Sequence, residues 1–161
     1  MPDVMSWLED SPLGLLMRHS GPWTYALVNL SHILGVATLF GPILILDLRL
    51  LGCWRRIPLS SVSAVVVPVA TAGFLLAAIT GLGLVATKAT EYVGNPFFYA
   101  KFPAILLGLV NVTVLQFLPA WRAHRDRALS AQENSRLALA GGVSLASWTT
   151  AVVMGRMIAY W

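Results

Sequence analysis

Residues 57–87 read IPLSSVSAVVVPVATAGFLLAAITGLGLVAT, without a single Asp, Glu, Lys or Arg. A helix needs about 20 predominantly apolar residues to cross the hydrocarbon core of a bilayer. This run is longer than that and is rich in Val, Leu, Ala and Gly. A soluble helix of such length would alternate charged and apolar faces. The stretch therefore reads as a membrane span.

Three more charge-free runs lie between Arg18 and Asp47, between Lys101 and Arg122, and between Arg136 and Arg156. Together they predict helices at roughly 23–48, 61–87, 97–121 and 137–160. The composition agrees: of 161 residues, 57% are hydrophobic and only 11% charged. About 25% is usual for a soluble domain. The expected fold is all-α, an integral membrane four-helix bundle forming one domain over residues 1–161. Short links make neighbouring helices antiparallel. Residues 5–18 (MSWLEDSPLGLLMR) mix apolar and charged positions, as a short helix lying in the membrane interface would. Acidic residues near the start, Asp3, Glu9 and Asp10, do not suit a cleaved signal.

The formal net charge is +4, but its distribution speaks for membrane topology and against nucleic acid. Arg49, Arg55 and Arg56 lie in the first loop, and Arg122, Arg125, Arg127 and Arg136 in the third. The positive-inside rule puts both loops in the cytoplasm and both termini outside. In a bacterium this is the inner membrane with periplasmic termini. Trp23, Tyr92, Tyr99, Tyr160 and Trp161 suit an outer aromatic belt. Glycines recur along every span and let helix backbones approach, leaving room for a homodimer. The lone cysteine, Cys53, excludes an internal disulfide.

Polar side chains inside a bilayer are expensive and mark candidate sites. Tyr25, Asn29 and His32 follow at helical spacing on one face of the first span. His32 is the one histidine inside a predicted span. Thr80 lies near the outer end of the second, Lys101 and Asn111 share a face of the third, and Arg156 closes the fourth. A histidine in an apolar pocket with two cations nearby suits b-type heme: His32 as the metal ligand, Lys101 and Arg156 at the propionates, and Asn29, Asn111 and Thr80 around them. The same set suits a quinone or an anionic lipid headgroup. A plainer reading stands beside it, with Lys101 and Arg156 snorkelling to water and His32 bonding a neighbouring helix. Asp47, in the segment DLRLLG, is expected to pair with an arginine of another loop, and His124 to lie on a solvated face.

Several chemistries lack their motifs: there is no HxxxH, CxxC, P-loop or GxGxxG, and no set of intramembrane carboxylates for a proton relay.

The segments SHILGVATLFGPILILDLRLLG (31–52), Thr80–Gly81, AKFPAILLGLVN (100–111) and GRMIAY (155–160) resemble a family of small, mostly uncharacterised bacterial membrane proteins. More distantly, His32, Lys101 and Asn111 resemble the pattern of the copper-resistance protein D superfamily. The small heme-binding protoporphyrinogen oxidase family has a similar plan, with an intramembrane His and Lys. The resemblance implies heme b at His32, for redox chemistry or heme handling with a redox partner. The alternatives are a non-redox accessory subunit that binds quinone or lipid, and a copper-handling permease unit. The absence of Met and His clusters speaks against copper.

Overall fold

The computed structural model describes residues 2–161, and they are helical nearly throughout. The elements are α1 (Pro2–Glu9), α2 (Pro12–His19), α3 (Gly21–Leu50), α4 (Leu59–Thr87), α5 (Pro96–Phe117), α6 (Pro119–Ala123) and α7 (Ala131–Met157). Short 3-10 turns cover Ala89–Tyr92 and Ile158–Tyr160. Among the described residues four helices are long and apolar enough to cross a membrane: α3, α4, α5, and α7 continued to Tyr160. At 1.5 Å per residue, α3 is about 45 Å long, more than the roughly 30 Å of a hydrocarbon core. Helices keep backbone bonds within the segment, as lipid demands, interrupted here at Pro42 of α3, Pro68 of α4 and Pro103 of α5, which have no N–H to donate. Large apolar side chains such as Val65, Ile79, Leu106 and Leu139 are exposed along these spans, as a lipid-facing surface requires.

The helix ends differ from the expected boundaries for local reasons. The third span was expected to run to 121, but α5 stops at Phe117. Pro119 has no N–H to continue the ladder and instead opens α6. The fourth span begins six residues before the expected 137, at Ala131. Ser130 and Glu133 form a capping box there, the Ser130 hydroxyl accepting from the Glu133 N–H and the Glu133 carboxylate from the Ser130 N–H. After α3, Gly52 adopts φ 108° and Trp54 φ 51°. The first suits glycine alone, and the second is uncommon for any bulky side chain.

The chain divides into two compact units. The first comprises the residues through Leu39 together with Thr71–Pro96. Here α3 and α4 meet backbone to backbone. A Cβ on Gly35 would stand 2.7 Å from the Ala77 nitrogen, and one on Gly73 only 2.4 Å from the Leu39 nitrogen. Small residues of this kind are what allow helices to pack in lipid. The N-terminal helices fold onto the end of α4. Gly14 lies against the Ala86 carbonyl, and Met17 is buried beside Gly83. Glu9 accepts hydrogen bonds from the Thr90 backbone N–H at 2.8 Å and from its hydroxyl at 2.7 Å.

The second unit holds Phe40–Ala70 and Phe97–Trp161. All four long helices contribute to its core: Leu46 and Leu50 from α3, Val66 from α4, Leu115 from α5 and Leu137 from α7, with Ala120 of α6. Gly108 of α5 lies under the Trp148 indole, and Gly141 of α7 under Leu50. The Asn111 amide of α5 donates to the Ala140 carbonyl of α7 at 3.0 Å.

Candidate functional site

The polar residues singled out in the sequence fall into two groups, one in each unit. In the first, His32 and Thr80 come together. The His32 ring lies against Gly81, where a Cβ would be 2.9 Å from its Cε1. Its Nδ1 is 2.9 Å from the Ala77 carbonyl and 3.2 Å from the Thr80 hydroxyl. A carbonyl only accepts, so Nδ1 carries the hydrogen. Thr80 agrees with this, because its own hydroxyl hydrogen goes to the Leu76 carbonyl. Its oxygen is thus free to accept a share of the His32 N–H. In a neutral ring the lone pair then resides on Nε2. Asn29, one turn before His32, is exposed.

In the second unit, the half-buried Lys101 of α5 lies across Gly155 of α7, whose Cβ position is 3.5 Å from both Cε and Nζ. Arg156, the next residue, is exposed and turns to Tyr160. Its guanidinium bonds the phenol and stands 4.8 Å from the ring centroid. Among the described residues neither Lys101 nor Arg156 pairs with a carboxylate. Asn111 belongs elsewhere: ten residues along α5 it is about 15 Å from Lys101, and its amide is spent on α7.

No group of three or more metal-ligating His, Cys, Asp or Glu occurs among the described residues. A model of the family of unknown function DUF6644 matches residues 4–160. The chain belongs to that family. No curated protein and no solved structure matches it.

Two further polar residues of this DUF6644 chain depart from expectation. His124 was expected on a solvated face, yet it is buried, 8% exposed. Its Nδ1 donates to the Trp121 carbonyl, and Nε2 lies 2.9 Å from the hydroxyl of Ser63, itself 1% exposed. Burial holds the imidazole below the usual histidine range, and the Trp121 carbonyl opposes that shift. Neutral His124 then accepts from Ser63, tying α4 to the segment after α6. The hidden signal was Trp121, three residues earlier, whose ring covers the imidazole at 4.6 Å between centroids.

Asp47 was expected to meet an arginine. Instead it is 2% exposed, with Ser144 of α7 as its hydrogen-bonding neighbour. Arg49, two residues on in the last turn of α3, points to another side of the helix, and Arg55 is exposed in the loop that follows.

Proposed function

We propose that this multi-pass membrane protein binds a b-type heme through His32. The observation that carries the reading is the His32 Nδ1–H bond to the Ala77 carbonyl. Histidines that ligate metals almost always anchor their second nitrogen in this way, which sets the tautomer and the ring orientation. The donor chemistry therefore fits: a neutral imidazole, braced by α4, with Nε2 as its ligating atom. The heme would supply one-electron redox chemistry. The chain's own part is to orient the ring with Ala77 and Thr80, and to seat it against Gly81 where a side chain would collide. The resemblance of His32 and its neighbours to membrane heme proteins points the same way. We further propose a bacterial inner membrane, with the Arg-rich loops in the cytoplasm.

The second reading is a non-redox accessory subunit that holds a quinone or lipid headgroup. Lys101 and Arg156 favour it, since among the described residues neither cation has a carboxylate partner, and each suits an anionic or carbonyl-bearing group.

An absorption spectrum of the detergent-purified protein, oxidised and then reduced with dithionite, separates the two. A Soret band in wild type that His32→Ala loses, with helicity kept by circular dichroism, is the expected result. A colourless wild type, after expression with ample heme, overturns the heme reading and leaves His32 as a clamp between α3 and α4.

A further inference from the structure

The Arg-rich end of the second unit contains a cavity of about 780 Å³. That is within the roughly 300–1,000 Å³ of small-molecule sites. Arg49, Arg55 and Arg127 line it, with Ser60, Ser135 and neutral His124, and no carboxylate lines it. Only one of the three cations is neutralised. Arg127 forms a two-point pair with Glu133, at 2.6 and 3.0 Å. The Arg49 Nε donates to the Ile57 carbonyl at 2.9 Å, which braces the guanidinium and leaves its charge uncompensated. Arg55 folds back over Gly52, where a Cβ would be 2.8 Å from Nη2. Among the described residues neither Arg49 nor Arg55 pairs with an acid.

The loop is built for this. Glycine at φ 108° and Trp54 at φ 51° turn the chain sharply enough to bring Arg55 beside the end of α3. Pro58, Leu59 and Ser60, at the start of α4, also line the cavity. They add the partial positive charge of a helix N-terminus. Like charges lining one cavity repel each other, and an anion bound in it relieves that repulsion.

We infer that this cavity binds a phosphate-bearing anion, with Arg49 and Arg55 as its principal ligands. Guanidinium forks match phosphate oxygens two at a time. The phosphate has two possible sources, an anionic phospholipid headgroup or a soluble phosphomonoester. Basic pockets at the ends of membrane helices take lipid headgroups in this manner.

Two arms test the inference and tell the sources apart. In the first, the whole protein is loaded into nanodiscs of phosphatidylcholine with phosphatidylglycerol, and co-purified lipid is read by native mass spectrometry. In the second, glycerol 3-phosphate is titrated into protein in a zwitterionic detergent. Each arm compares wild type with the double variant Arg49→Gln/Arg55→Gln and with the control Arg122→Gln/Arg125→Gln. The control removes the same charge from arginines outside the cavity. The cavity variant should lose affinity about tenfold or more in one arm, as removal of charge-assisted bonds predicts, while the control stays within about twofold. Loss in the first arm assigns a lipid, and in the second a soluble ligand. Equal losses in both variants mean nonspecific attraction, and no binding in either arm also overturns the proposal. Arg55→Gln alone, at an exposed side chain without a backbone bond, serves if the double variant fails to fold.

Discussion

Asp47 shows how a single polar atom exposes the cost of burial. Ser144 is its hydrogen-bonding neighbour, yet among the described residues Oδ2 has no partner, and such an atom costs about 1–3 kcal/mol. Asparagine has nearly the same shape, carries no charge and can donate. Asp47→Asn should therefore keep or raise the thermal midpoint in detergent. A fall of several degrees would mean that the carboxylate finds a cation in the assembled membrane protein. His32 and Thr80 make the complementary point. Each was visible in the sequence as a polar residue in an apolar run. That they meet was not visible, because the register of α3 against α4 is set by backbone contact at Gly35 and Gly73. A sequence displays spacing along one helix and says little about the neighbour opposite.

At the scale of elements, the N-terminal segment is the clearest case. The mixed composition of residues 5–18 predicted one short helix. Pro12 and the Ser11 N-cap divide it into two. Its docking depends on Glu9. The Thr90 backbone N–H, then the Thr90 hydroxyl, then Arg18 hold this carboxyl below the usual glutamate range. A depressed folded-state pKa means that the stabilisation is present at neutral pH, above the range of the free carboxyl. It is lost as the pH falls through the folded value. Protection of the α1 amides, taken relative to their intrinsic exchange rate at each pH, should fall on acidification, and Glu9→Gln should show the lower protection already at neutral pH. Unchanged exchange in the variant would mean that apolar contacts such as Met17 on Gly83 suffice. The four spans were legible because lipid demands charge-free length. Their ends were less so. The S-x-x-E of Ser130–Glu133 was there to be read as a helix start, but hydropathy alone passes over it.

For the molecule as a whole, four helices long and apolar enough to cross a bilayer make this a multi-pass membrane protein. Its sidedness can be read from one atom. Cys53 is the sole cysteine, and it is exposed in the loop that carries Arg55 and Arg56. With that loop in the cytoplasm as proposed, a membrane-impermeant maleimide should label inside-out vesicles and spare intact spheroplasts. The reverse pattern would invert the topology.

The contact of Gly35 and Gly73 with the facing backbone also has a consequence in time. Both partners of that contact, and the Ala77, Thr80 and Gly81 that hold His32, lie on two consecutive helices. They leave the ribosome before α5 does. The hairpin can thus close at the translocon and seat its histidine while the remaining helices are still being made.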